Sequence, residues 1–278
     1  MKQGEPLFDM TLSARQNMRA GRRREGIPFL WQRAAEDLSE RRLDIARVLH
    51  KALFIGPKAL YTEWIKILPA EKRPRHIDHI SAYDVGATAL APKSYDMVIS
   101  AFRLHRDNDP LFVLRQLNLT LKPDGVFIGC FFGGESLKSL RRAFYGFDTQ
   151  KFGAPLPRLH PMINHEQAGG LLGASGFALP VVDIDRVEVS YGRLQTLMHD
   201  LRDMGEGNAL RARHKTYPGR HFLSRLSGHY DERREDGKFH ARFDILWITG
   251  WRADPSQPKP LKPGSAQVSL TQVLGDQK

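Results

Sequence analysis

The stretch Leu121-Lys122-Pro123-Asp124-Gly125-Val126-Phe127-Ile128-Gly129-Cys130-Phe131-Phe132-Gly133-Gly134 decides the fold class. Its Lys-Pro-Asp-Gly opening is turn chemistry, the branched and aromatic run Val126–Phe132 is a buried strand, and two glycines break it. Just upstream, Leu111, Leu114, Leu117 and Leu121 share one stripe of a helix over Asp109–Leu121. Before that helix lies a second apolar strand, Tyr95–Ala101. Strand, helix and strand in that order form the unit of a parallel sheet.

Working outward, the pattern repeats. Ala52–Ile55 reads as a short strand closed by Gly56-Pro57, and Leu60, Trp64, Ile67 and Leu68 mark the helix after it. His76–Ile80 is a weaker strand, and a helix from Pro28 carries Phe29, Leu30, Ala34, Leu38 and Leu43 on its apolar side. Downstream, helices are expected over Glu135–Phe144, His165–Ala174, Leu194–Met204 and Phe222–Glu232, with strands at Val181–Val189 and Phe243–Trp251. The alternation predicts an α/β fold, a doubly wound and mostly parallel sheet with helices on both faces. Residues 1–27 read as a polar arm, 28–252 as the α/β domain and 253–278 as a loose tail rich in Pro, Ser, Gln and Lys.

The 278 residues hold 42 Lys and Arg against 31 Asp and Glu, a formal charge of +11. Arginines cluster at Arg22–Arg24, Arg41–Arg42, Arg141–Arg142 and Arg211–Arg213. Such a field attracts anionic partners. Read as solvated helix faces, however, these pairs leave nucleic acid an unfavoured partner and a protein partner open; RNA binding would show itself by a steep loss with salt. The single cysteine, Cys130, excludes an internal disulfide and a multi-cysteine zinc site, and the apolar runs are too short for a membrane span. No G-x-S-x-G elbow, P-loop, H-E-x-x-H or intact G-x-G-x-x-G occurs. His76, Asp78 and His79 have metal-triad spacing, but a strand turns Asp78 and His79 to opposite faces, so no metal is assigned.

In an open α/β sheet, ligands bind outside the carboxyl ends of the strands. That rule points to Gly56-Pro57-Lys58, to Asp84 and to Ser100–His105. The plainer reading of the same residues is that Gly56 ends a strand, Asp84 caps a turn and His105 is a loop histidine.

Longer segments carry a resemblance. They include Leu7-Phe8-Asp9, Ser100-Ala101-Phe102-Arg103-Leu104-His105 with Asn108-Asp109, the Leu121–Gly129 stretch, and Phe132-Gly133-Gly134-Glu135-Ser136-Leu137. Leu197–Gly205, Trp247–Trp251, Gln257–Pro260 and Pro263–Ala266 complete it. With these the chain resembles class I S-adenosylmethionine (SAM)-dependent methyltransferases of type 11, nearest the branch containing complex I assembly factor 5 and its bacterial relatives. The resemblance implies a seven-stranded sheet with Phe243–Trp251 inserted antiparallel, a SAM site, and either methyl transfer to a small molecule or protein side chain, arginine hydroxylation, or non-catalytic assembly work. Because Leu7-Phe8-Asp9 already matches the family opening, little room is left for a cleavable presequence, and a cytoplasmic protein is expected.

The departures from the family fall on the cofactor site. Phe54 stands where a carboxylate is usual, only Gly56 survives of the glycine-rich turn, Pro57 offers no N–H, and Lys58 faces a cationic ligand. The interval from Gly56 to Asp84 holds one helix and one short strand, fewer than the family fits there. The ribose-binding acid is therefore absent or supplied by Asp84, or Asp84 corresponds to the acid beside the adenine. Arg106 replaces an aromatic and is expected to make the pocket rim cationic. With Phe54, Gly56, Pro57, Asp84, Ser100, Phe102 and His105 as the expected cofactor-site residues, SAM binding is expected to be weak or lost, since each missing charge-assisted hydrogen bond removes about 1.5–3 kcal/mol.

Overall fold

The computed structural model describes residues 5–20, 26–81, 90–215, 219–230 and 237–257. Its spine is four strands in parallel: β1 (Lys51–Ile55), β2 (His76–Ile80), β3 (Tyr95–Ala101) and β4 (Leu121–Gly133). Two long strands, β5 (Phe177–Tyr191) and β6 (Phe239–Arg252), complete a sheet of order β2-β1-β3-β4-β6-β5, with β6 antiparallel to both neighbours. The α/β class is thus as the sequence reads, and the antiparallel last strand as the family resemblance implies. The described residues form six strands where the family resemblance implies seven.

Period-two burial divides each strand between two cores. In β1, Ala52 and Phe54 face one core and Leu53 and Ile55 the other; in β4, Ile128, Cys130 and Phe132 oppose Phe127 and Phe131. The first core is roofed by α2 (Phe29–Leu43), α3 (Lys58–Ile67), α5 (Lys138–Phe152), α7 (Leu194–Asp203) and α8 (Phe222–Gly228). The second is roofed by α4 (Pro110–Thr120) and α6 (His165–Ala174). The helix after β1 and the helix after β3 therefore lie on opposite faces. That reversal puts the topological switch point at the ends of β1 and β3, next to Gly56 and Ser100.

Several boundaries move for physical reasons. The Lys122–Gly125 turn is absorbed into β4 as an irregularity: Tyr95 pairs with Leu121 and Met97 with Val126, with Asp124 at φ 58°. α4 starts where Asp109 accepts the Phe112 N–H at 2.8 Å, with Pro110 in its first turn. α5 begins only at Lys138, because the Gly133–Leu137 turn is pinned by buried Asp244, whose carboxylate accepts the Glu135 N–H at 2.9 Å. The N-terminal segment read as a polar arm contains a helix, α1 (Met10–Arg19), preceded by a buried Phe8 bridged to Leu210.

The arginine clusters are not simply solvated faces either. Arg41 reaches across to Asp183 and lies 4.4 Å over the Trp247 ring, while Arg42 is buried and donates to the Ile45 carbonyl.

Candidate functional site

The turn after β1 is closed upon itself. The Gly56 N–H donates to the Ile80 carbonyl at 3.0 Å, and the Gly56 carbonyl accepts from His79 Nε2 at 3.0 Å. Pro57, which caps α3, has no N–H to offer. A Cβ on Gly56 would come within 2.9 Å of the Ala101 carbonyl oxygen, so glycine is required by space. Phe54 is fully buried, its ring 5.4 Å from Tyr61 and 5.6 Å from Trp64, and His79 stacks on Tyr61 at 4.8 Å. An aromatic cluster occupies the place where the family resemblance implies a carboxylate. Asp78 is drawn the other way, accepting from the Tyr95 hydroxyl at 2.9 Å and pairing with Lys51. Among the described residues no group of His, Cys, Asp and Glu could hold a metal.

The end of β3 is different. Ser100, paired with Ile55 across to β1, is fully buried, and its hydroxyl has no partner among the described residues. Phe102 takes φ 52°, a left-handed conformation that costs a non-glycine residue about 1–3 kcal/mol. It is held there by its N–H to the Cys130 carbonyl at 2.7 Å and by its ring on Phe132 at 4.8 Å. Gly56, Ser100 and Phe102 thus gather at the switch point, Phe54 and Pro57 belong to the α3 side, and Asp84 lies outside the described residues.

His105 points elsewhere, to a partner that spacing could not supply. Its Nε2 lies 3.0 Å from Glu206 Oε2, with the side chain fully buried and Glu206 nearly so. Phe131 stacks on the imidazole at 6.3 Å and Phe132 meets it edge-on at 5.9 Å. Arg106 does not rim a pocket: its buried guanidinium donates to the Gly205 carbonyl and to Gln16 Oε1. Burial alone would raise the Glu206 carboxyl, but the charges of His105 and Arg106 outweigh it and bring it down to about 2. Burial, then the charge of Arg106, hold His160 down at about 3, so its neutral Nε2 can accept the Ala209 N–H at 3.2 Å. A void of about 20 Å³, room for one water, separates Glu206 and His160 from Arg158 and Ser136.

The N-terminal segment seals this network. Phe8 packs edge-on against His160 at 5.2 Å and exchanges hydrogen bonds with Asn108, and α1 rests on Gly205 and Gly207, where a Cβ would meet Asn17 and Gln16 at 2.8 Å. On its outer side a cleft of about 580 Å³ opens between Leu7–Phe8, the 104–110 loop and α6. Its wall is mainly apolar, with Asp107, Asn108 and Gln167 as polar points and the His105 ring buried behind it.

No protein-family model matches the chain. It is 32% identical to "Arginine-hydroxylase NDUFAF5, mitochondrial" of Danio rerio, across 98% of this chain and 91% of that one. The chain belongs to the NDUFAF5 family. It is also 32% identical, over 72% of its own length and 66% of the relative's, to the malonyl-[acyl-carrier protein] O-methyltransferase of Laribacter hongkongensis. Among solved structures it is similar to phosphoethanolamine N-methyltransferase 2 of Haemonchus contortus in complex with S-adenosyl-L-methionine (13% identity, 78% of this chain and 53% of that one, TM-score 0.41). Through the O-methyltransferase relative the NDUFAF5-family chain is related to methyltransferases, and no helix of its described residues is long and apolar enough to cross a membrane.

The β1 turn does not fit SAM as a tight ligand. Both polar groups of Gly56 are used internally, Pro57 adds none, and rings fill the space beside Phe54. Among the described residues at the switch point, Ser100 Oγ stands buried and unpartnered.

Proposed function

We propose that this chain is a protein-directed factor of the NDUFAF5 type. It takes an arginine-bearing segment of a partner polypeptide into the cleft beside His105, in assembly of a complex I-like enzyme, with SAM held weakly or not at all. The observation that carries this reading is the contrast between a cleft of about 580 Å³ and a β1 turn whose hydrogen-bonding groups are already satisfied. An apolar wall with a few polar points suits an aliphatic stem ending in a polar head. The NDUFAF5 relatives are named as arginine hydroxylases, which supplies arginine as that head. We place this work in the cytoplasm.

The unpartnered Ser100 hydroxyl favours a second reading, a methyltransferase with a remnant donor site. Calorimetry separates the two. Titration with SAM and with its demethylated product to millimolar concentration is expected to give little or no heat, whereas arginine-containing peptides bind. Replacing Leu171 in the cleft wall by Arg should abolish peptide binding. Micromolar SAM affinity, or peptide binding that ignores Leu171→Arg, would hand the assignment to the methyltransferase reading.

A further inference from the structure

We propose that Asp107 makes the cleft selective for a cation: its carboxylate pairs with the guanidinium of an arginine whose apolar stem lies along the wall. This rests on the cleft being the binding site proposed above and adds the residue that chooses the ligand.

The charges around the cleft are one-sided. The chain carries +11, yet among the described residues the cleft lining holds no lysine or arginine and a single carboxylate, Asp107. That side chain is 11% exposed. Its partner Arg103, whose Nη2 donates to Oδ2 at 2.6 Å, lines instead a small void between α1 and the 102–107 turn, with Met10 and Asn17. The pair is therefore a dipole whose negative end borders the cleft. A cation in the cleft lies nearer the carboxylate than the Arg103 guanidinium, and an apolar wall weakens the screening of that attraction.

The carboxylate also keeps acceptor capacity. It offers about four acceptor positions. Arg103 occupies one on Oδ2, and the Asp109 N–H one on Oδ1 at 3.1 Å. The other polar points are committed: both ends of the Asn108 amide go to the Phe8 backbone, and Gln167 Oε1 accepts the Asn164 N–H. The N-termini of α4 and α6 reach the cleft at Pro110 and Gln167 and would draw an anion. Asp109 caps the first, however, and a capping box closes the second. An anion would also meet Asp107 itself. The occupant these charges select is a cation on a stem that packs against Leu104, Leu171 and Ala174.

The test uses the full chain with ¹³C-labelled Asp, Leu and Ala and two probes, N-acetyl-arginine amide and N-acetyl-citrulline amide. Citrulline keeps the stem and the side-chain N–H groups of arginine but carries no charge. Both probes should move the Leu171 and Ala174 methyl resonances, and the arginine probe alone should shift the Asp107 carboxyl carbon strongly. At low salt the arginine probe should bind about tenfold more tightly, the low end for a charge-assisted contact because Asp107 is partly exposed, and the advantage should shrink as salt rises. Asp107→Asn retains an acceptor for the Asp109 N–H and removes the charge, so it should bring the two affinities together by weakening arginine while citrulline holds. Equal affinities in the parent protein overturn the proposal without any variant having to fold. So does an arginine probe that moves Leu171 and Ala174 while the Asp107 carboxyl stays still, or an Asp107→Asn protein that keeps the parental preference. Each of these results leaves the cleft standing as a binding site. If neither probe perturbs any cleft residue at millimolar concentration, the cleft reading fails together with this one.

Discussion

After β1 the chain turns its polar groups inward on one another, whereas after β3 it buries charges and leaves selected polar atoms open. Gly56, His79 and Ile80 close a ring of hydrogen bonds, and Phe54, Tyr61 and Trp64 fill what remains. Beyond β3, His105, Arg106, Glu206 and His160 form a network; among the described residues His105 Nδ1 within it and Ser100 Oγ at the strand end lack partners. Unsatisfied buried polar atoms are rare and costly. Among the described residues the β1 side has one in the Trp64 indole N–H, outside the closed turn, and the β3 side has Ser100 Oγ and His105 Nδ1.

The sharpest way to break this comparison is Arg106→Met. Removing the guanidinium leaves the Gly205 carbonyl and Gln16 without their donor and the buried Glu206 charge with His105 alone, and loss of one member of such a group typically costs about 3–5 kcal/mol. Urea denaturation should show a loss of that size. A loss below about 1 kcal/mol would mean that the network is not held by this charge.

Acid should probe the same region next. His160 is held below its unfolded value of 6.5, so below that pH the unfolded chain takes up a proton that the folded one refuses, and stability falls as pH drops toward about 3. Glu206 acts in the same direction at lower pH, its contribution being lost between 4.5 and about 2. Stability should therefore decline by roughly 2 kcal/mol between pH 6.5 and 4.5, since each unit for one group is worth about 1.4 kcal/mol. His160→Gln should flatten this upper limb. A wild-type curve level from pH 6.5 to 4.5 would place His160 in a polar setting at odds with its burial.

Gly56→Ala examines the other region. Its Cβ would meet the Ala101 carbonyl at 2.9 Å and the Ala101 Cβ at 3.0 Å, both firmly built, and overpacking of this kind costs about 1–3 kcal/mol. Thermal denaturation at matched conditions checks it. An unchanged midpoint would show that the β1 turn has slack and is less closed than its contacts imply.

Much of the fold was legible because apolar periodicity is a local signal. Leu111, Leu114 and Leu117 announce a helix, and Val126–Phe132 a strand, without knowledge of the partner. The antiparallel placement of β6 came from resemblance, since nothing in Phe243–Trp251 itself encodes direction. The β1 departures were equally readable: Phe54 and Pro57 cannot do what a carboxylate and a glycine do, and the structure shows the aromatic cluster that takes their place. Glu206 was not readable. It lies 101 positions from His105, and only the adjoining Leu197–Gly205 segment hinted that its neighbourhood mattered. Arg106 was misjudged for the same reason: a lone arginine looks like a rim charge until Gln16 and Gly205 are brought to it from distant parts of the chain. α1 was hidden by its polarity, because its anchors are Gln16 and Asn17 against glycines rather than an apolar stripe.

The smallest effect is also the one that bears most on function. Ser100→Ala removes a fully buried hydroxyl that has no partner, and an unpaired buried hydroxyl is a liability that its loss relieves. In the ligand-free protein the variant should be more stable than the parent by about 0.5–1 kcal/mol, the gain being limited by the small gap left behind. The sign carries the information. A serine kept for packing would be neutral when exchanged and would not alter any binding heat. A serine kept for a ligand should improve stability when deleted and, at the same time, lower whatever affinity SAM retains at the switch point. Measuring both quantities on one variant decides whether the end of β3 still serves a donor molecule or whether only the cleft beside His105 remains in use.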